Sequence, residues 1–589
     1  LAEEQDWLRD AAAAAALGDQ LGAIDLARRG LEEHPHSLAL EYAQLLGFSR
    51  AGAGRQAASR LAALREGGRL EGIASVDLRR DFAALGARLL KDAAVTAGPE
   101  AQPAAAGRAA AAYEAVYRAH GGSYPAINAA TLWRIAGEFE RMAAMVAATL
   151  RDVAGETPSY WRFATLAEAL LLRGDEAGAI AAAREALALA AGRLDDIAST
   201  RRQIAWLVAH AGTGQAVLAA FAAPLVVHFL PVSTARDTIS GIAGVIDAAG
   251  GARNGLLAYG AICAVSDLAT ASALLELGAT LELVLPCAAA ICGQHLATQG
   301  GEAAGGLFDR VLAAAGRVSE VTAEGDPEEA TVLGLARIQA RGHAMLRAAH
   351  LAAPMWALAG SASGAVLRAP AQDDLDARRR DGMTAVIGRA KTGIWAGRQA
   401  RALVFGDVKG FSALSEAQHP AFLACVVGGF ADALAGLGAS VAYAETAGDG
   451  LYVVLTDLTD AVAACHALHR VMGHARLREA GLPPGLALRL SAHLGPVFHG
   501  LDRVTGREKF FGKEVIRTAR IEPIAPPGET YVTEAFAAAL CCATGGGYEC
   551  EYVGRQEMAK GFGACRMYSL RGREAVRPAS GEAGEVFMR

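Results

Sequence analysis

The chain has 589 residues, more than a single hydrophobic core organises, so roughly two to four domains are expected. Its 53% apolar and 20% charged residues are ordinary for a globular protein, and a net charge of −6 argues against a surface built mainly for nucleic acid. Nine cysteines without a CxxC spacing argue against a zinc site or a disulfide framework and for free thiols in a reducing cytoplasm. The longest apolar candidate, Ala216 to Val227, stops at His228, so no membrane span is expected, and no signal peptide opens the chain. The chain begins at Leu1 rather than Met, and the natural start is expected upstream.

The first 212 residues read as one helix after another. In "LRDAAAAAALGDQLGAIDLARRGLEEHP" one helix ends near Leu17-Gly18-Asp19, a second runs from Gln20 to Glu33, and Pro35 closes it. Leu21, Ile24, Ala27 and Leu31 share one face of that second helix, and Gly22, Ala23 and Ala27 let paired helices approach closely. The stretch Ser159 to Leu189, with Trp161, Leu170-Leu171, a Gly174-Asp175 turn and Ala179, Ala183 and Ala186, resembles a tetratricopeptide repeat. That resemblance implies stacked helix pairs, which either present a groove to a protein partner or serve only as structure. Tyr124-Pro125 and Ile127 to Leu132 resemble the tetratricopeptide-like region called TRAF-binding in some kinases, which in bacterial proteins often precedes a cyclase domain.

From 220 to 368 the pattern changes. Leu225 to Val232 reads as a strand, another strand ends near Ala264, a helix capped by Ser266 or Asp267 runs to Gly278, and Thr280 to Leu285 is a third strand closed by Pro286. Strand, helix and strand in about thirty residues make a parallel crossover, so a Rossmann-like, doubly wound α/β domain is expected. The turn Val265-Ser266-Asp267 lies where such folds bind phosphates at a helix N-terminus, yet there is no GxGxxG, and Asp267 reads first as a plain helix cap. Residues 369–398, which include the charged run "AQDDLDARRRDGM", are expected to be a linker, and 573–589 a disordered tail.

Residues 399–572 carry the chemistry. "RALVFGDVKGFSAL" is an apolar strand that ends in Asp407, a carboxylate that needs a positive partner. Ala444 to Leu455 alternates apolar and polar residues around Gly448-Asp449-Gly450, a hairpin signal that lets Asp449 face Asp407 on a neighbouring strand. Two such carboxylates repel unless a cation lies between them, and Mg²⁺ favours this kind of oxygen set, completed by substrate phosphates. Leu488 to Gly500 reads as a strand with a Gly-Pro turn. Arg507 to Phe536 reads as a helix carrying Val515, Arg517, Ala519, Arg520 and Ile521, followed by a turn into a strand. Lys560 stands beside Gly561 before a last strand.

These motifs, in this order, resemble the class III adenylyl/guanylyl cyclase catalytic domain. The resemblance implies a ferredoxin-like α/β fold and a head-to-tail homodimer whose sites draw the metal aspartates from one subunit and the arginine from the other. Asp407 and Asp449 match the aspartates that bind two Mg²⁺ or Mn²⁺ ions, Arg520 the arginine that stabilises the transition state, and Lys560 the lysine that holds the triphosphate. Gly410 and Phe411, in the turn after the first strand, fall at the substrate. Glu445 matches the first base-reading position and is the residue guanylyl cyclases carry there. The sequence departs from the family at Lys509, which fits neither base pattern, and at Ile516, where the family has an asparagine that orients the ribose. Glu445 either reads guanine or pairs with Lys509, Arg520 either serves catalysis or pairs with Glu522 or Glu514, and His493 reads as a core histidine.

The expectation is a multidomain α plus α/β protein of the cytoplasm, acting in signal transduction. It would convert GTP or ATP to the 3′,5′-cyclic nucleotide and pyrophosphate by a two-metal mechanism. The alternative is a degenerate cyclase-like module that binds nucleotide or dimerises as a scaffold.

Overall fold

The structure, a computed structural model, describes residues 3–190, 192–230, 238–248, 255–361, 364–368, 397–544 and 548–571. The expected linker, save its last two residues, and the expected tail lie outside these. The chain divides into two compact units, one built on Leu1–Pro224 and the other on Leu225–Ala349 with Pro354–Gly572.

Helices from Glu4–Ala16 to Gln215–Ala220 make up the first unit. The expected second helix spans Gln20–Glu33, and Asp19 caps it by accepting from the Gly22 amide at 2.9 Å. The same device recurs at Asp175, which accepts from Gly178 and opens the helix Glu176–Ala188. A Cβ on either glycine would lie within 2.6 Å of the capping carboxylate, so the cap itself selects glycine there. Alanines such as Ala27, Ala106, Ala109, Ala129 and Ala183 are fully buried, so backbones pack closely with little side-chain volume between them.

The second unit holds two sheets. In the first, β1 (Leu225–Phe229), β2 (Leu256–Ala261), β3 (Thr280–Leu285), β4 (Arg317–Glu320), β5 (Met355–Ser361) and β6 (Gly364–Arg368) lie in the order β4-β3-β2-β1-β5-β6. All neighbours are parallel except β5 and β6. The strand order reverses at β1, and β1 and β2 are buried throughout, as a sheet covered on both faces requires. One local expectation is corrected. The helix after β2 is Val265–Glu276, so Asp267 is its third residue and not its cap. Its buried carboxylate accepts from the Cys263 and Ala264 amides, both at 2.9 Å. It thus takes the amides at this turn and places negative charge where such folds bind a phosphate.

The second sheet consists of β7 (Gln399–Lys409), β8 (Val441–Ala447), β9 (Gly450–Leu455), β10 (Ala487–Asp502), β11 (Arg507–Phe511), β12 (Thr530–Thr533), β13 (Glu549–Glu557) and β14 (Ala564–Arg571). Its order is β13-β14-β12-β10-β7-β9-β8, with β11 paired to β10. The expected Gly-Pro turn is absent, because β10 runs unbroken through Gly495-Pro496. β12 pairs with Leu490–Ala492 and β11 with Phe498–Asp502, so at Pro496 the strand has a neighbour on one side only, where a residue without an N–H is tolerated.

Helix Ala330–His350, beside the first sheet, packs on helix Glu534–Thr544 of the second. Gly342 makes this approach possible: a Cβ there would lie 2.2 Å from the Ala538 carbonyl oxygen. Arg317 bonds Glu534 at the same seam, and Lys513, the first residue of the helix Lys513–Ile521, pairs with Glu324 at 2.6 Å.

Candidate active site

Register builds the site. Asp407 lies two residues before the end of β7, opposite Gly450 on β9 and opposite Arg489 on β10. Gly448, at φ 66°, turns the β8–β9 hairpin, and Asp449 precedes the Gly450 that faces Asp407. The two aspartates expected to meet are therefore adjacent. Burial, with a further push from the Asp407 carboxylate, raises the pKa of Asp449.

The positive partner of Asp407 in this chain is Arg489, whose Nη2 donates to its Oδ2. The Arg489 Nε lies 3.0 Å from Glu522 Oε1, an ion pair in which the N–H is not aimed at the oxygen. Nη1 donates to the Pro523 carbonyl at 3.4 Å. Glu522 follows directly on the helix Lys513–Ile521. Its pKa is pushed up to about 7, first by burial and then by Asp407 and Asp449, with Arg489 opposing. Three carboxylates thus share one guanidinium, a local deficit of positive charge.

The donor set fits a hard divalent cation that completes its shell from elsewhere. Asp407 and Asp449 offer two close carboxylates, and among the described residues no group of three or more His, Cys, Asp or Glu side chains is spaced to hold a metal alone. Water and a polyphosphate would supply the remaining ligands.

The other anticipated residues fall as follows. Glu445 on β8 pairs with Lys509 on β11 at 3.0 Å and accepts from the Tyr443 hydroxyl. Tyr443 and then Lys509 hold the Glu445 carboxyl below its usual range. Gly410, at φ 95°, follows β7 directly, and Phe411 packs on Phe422 with ring centres 4.8 Å apart. Ile516 is 46% exposed on the helix Lys513–Ile521. Lys560 is exposed and left-handed at φ 60° in the β13–β14 connection. Neither glutamate proposed as a partner of Arg520 takes that role. Glu522 pairs with Arg489, Glu514 is engaged by His493 and Arg517, both at 2.9 Å, and among the described residues Arg520 has no hydrogen bond or ion pair. His493 is buried between Thr533 and Glu514, as a core histidine would be.

Sequence reasoning passed over Arg489 and Tyr443, and read Glu522 only as a partner for Arg520. The available signal was an arginine inside the apolar run "LRLSAHL", which needs a buried acid as partner.

Residues 398–572 match the family model of the adenylate and guanylate cyclase catalytic domain. The match supports a class III cyclase catalytic domain over that segment. The chain is similar to solved structures that include the adenylyl cyclase CyaB from P. aeruginosa, at 17% identity, with 31% of this chain and 98% of that chain covered and a TM-score of 0.27. Others are the guanylate cyclase domain of RhGC from Catenaria anguillulae, at 18% identity, 30% and 97% coverage and a TM-score of 0.25, and an adenylate cyclase from Trypanosoma brucei, at 19% identity, 31% and 92% coverage and a TM-score of 0.25. No curated protein matches the chain. Among the described residues no helix is long and apolar enough to cross a membrane.

Proposed function

We propose that residues 398–572 form a nucleotidyl cyclase domain that converts GTP or ATP to its 3′,5′-cyclic nucleotide and pyrophosphate. The observation that carries this reading is the adjacency of Asp407 and Asp449, imposed by the β7–β9 register, beside a third acid and a single arginine. Mg²⁺ or Mn²⁺ on Asp407 and Asp449 would supply activation of the ribose hydroxyl and neutralisation of the leaving group. In the reaction the ribose 3′-oxygen forms a bond to the α-phosphorus and loses its proton, and the bond from that phosphorus to pyrophosphate breaks. Arg520 and Lys560, which have no ion pair among the described residues, are suited to negative charge that builds up on the phosphates. Phe498 and Phe511, paired and stacked across the β10–β11 hairpin and both exposed, offer an apolar surface that a homodimer would cover. Gly410 and Phe411 would shape the triphosphate end.

Lys509 already compensates Glu445, so a base must share or displace that ion pair, and discrimination between GTP and ATP is weak. The first unit, tetratricopeptide-like in this reading, would bind a protein partner in the cytoplasm and regulate the domain.

A second reading, a cyclase-like scaffold that binds nucleotide without turnover, is favoured by Ile516 in place of an amide and by the internal pairing of both Asp407 and Glu445. Turnover of the full chain with Mn²⁺ separates the two. Activity that falls at least about 10²-fold in Asp407→Ala and Asp449→Ala supports the enzyme. Activity unchanged in both variants refutes the metal assignment.

A further inference from the structure

We propose that Glu522 is a positioning residue that retains Arg489 beside the candidate site when a cation takes Asp407 from it. This rests on the cyclase reading above and adds a residue to it. The Arg489 guanidinium is held on two edges by groups of different kinds. On one edge Nη2 bonds Asp407, the carboxylate a divalent cation requires. On the other, Nε faces Glu522 at 3.0 Å and Nη1 donates to the Pro523 carbonyl at 3.4 Å. Glu522 and Pro523 belong to one turn, Glu522–Ile524, so this second anchorage is a single rigid piece of backbone and side chain.

Cation and guanidinium compete for the same Asp407 oxygens. Without its second anchor Arg489 would settle wholly on Asp407, because a half-buried guanidinium needs an acceptor. With the anchor, Arg489 yields Asp407 and still keeps a partner, and its freed Nη2 edge remains turned towards the site, ready for a phosphate oxygen. The Glu522 Oε1 atom is buried and lacks an aligned hydrogen-bond donor, so it has acceptor capacity in reserve for an arginine that shifts by a fraction of an ångström. The turn also continues the helix that carries Ile516 and Arg520, so the tether ties the end of that helix to β10 beside Asp407.

The test is Mn²⁺ binding by the full chain without nucleotide, read from the free-ion paramagnetic resonance signal and so independent of turnover. It compares wild type, Glu522→Ala, Glu522→Gln, Arg489→Ala and the Arg489→Ala/Glu522→Ala double variant. Glu522→Ala is expected to weaken Mn²⁺ binding about tenfold, the worth of one charge-assisted contact. Glu522→Gln, which keeps an acceptor for Arg489, stays within about threefold of wild type. Adding Glu522→Ala to Arg489→Ala changes binding less than about twofold, because the tether then has nothing to hold. Equal losses in both backgrounds would make Glu522 a direct cation ligand and overturn the proposal, as would no loss in either. A wild-type chain that binds no Mn²⁺ refutes the metal reading itself, and the proposal with it.

Discussion

Arg489→Ala is the perturbation whose effect on stability the structure specifies most fully. The side chains of Arg489, Asp407 and Glu522 are 24%, 27% and 14% exposed, so the pairs are half-buried and solvent does not screen them fully. Removing the guanidinium leaves Asp407, Asp449 and Glu522 facing one another without a compensating charge. Breaking a fully buried pair costs about 3–5 kcal/mol, and partial exposure reduces this to about 2 kcal/mol. For a domain of this size that is roughly 4–8 °C in Tm.

The pH dependence has a definite sign. Glu522 has a folded pKa of about 7, above its ordinary value, so it binds a proton more tightly folded than unfolded. Its contribution to stability is full below the ordinary carboxylate range and is lost as pH rises through about 7. Without Arg489, the one group that lowers this pKa, it moves higher still. The variant's deficit should therefore be largest near pH 8 and fall to less than about half near pH 5, where Glu522 is protonated. Thermal unfolding at the two pH values, with and without millimolar Mn²⁺, measures this, and Mn²⁺ should stabilise the variant more than the wild type. An equal deficit at both pH values, with no extra stabilisation by Mn²⁺, would refute the shared-charge account.

Mixing Asp407→Ala and Arg520→Ala chains should recover up to about a quarter of wild-type turnover if each site spans two copies, since one composite site regains every wild-type group. A mixture as inactive as its parents, with heterodimers demonstrated, would count against shared sites. Ile516→Asn, at a half-exposed helix position that accepts an amide, should raise turnover by about 10²-fold, and an unchanged rate in a folded variant would mean that the ribose is held otherwise. Gly342→Val would drive a side chain into the Ala538 backbone, 2.2–2.8 Å from the position of its Cβ, and should cost about 1–3 kcal/mol by thermal unfolding. Wild-type stability in that variant would place the two helices further apart.

What the sequence revealed depended on the range of the interaction. Gln20–Glu33 and Thr280–Leu285 were legible to the residue, because periodicity and local caps decide them. Asp407 and Asp449 were legible as a pair, because a carboxylate that ends an apolar strand and a Gly-Asp-Gly hairpin are local signals. The partner of Asp407 was not legible. Arg489 is 82 residues away, and only the β7–β10 register brings the two opposite each other. Glu522 was read as a partner of Arg520 on proximity in sequence, but residues two apart on a helical turn point to different sides, and the glutamate turns to β10. The Gly-Pro pair in β10 gave a turn signal that sheet pairing overrode, and Asp267 gave a capping signal displaced along its helix by the amides it binds. Glu445 read either as a base reader or as a partner of Lys509, and the two side chains stand 3.0 Å apart as an ion pair, a contact between β8 and β11 that local sequence does not specify.

The most direct test of the central claim is product identification. The 589-residue chain is incubated with ATP or GTP and Mn²⁺, and the products are resolved by chromatography and ³¹P resonance. The account predicts a 3′,5′-cyclic nucleotide with pyrophosphate in equal amount, from both nucleotides and with little preference between them. Nucleotide recovered intact, or split to the diphosphate and inorganic phosphate, would contradict it.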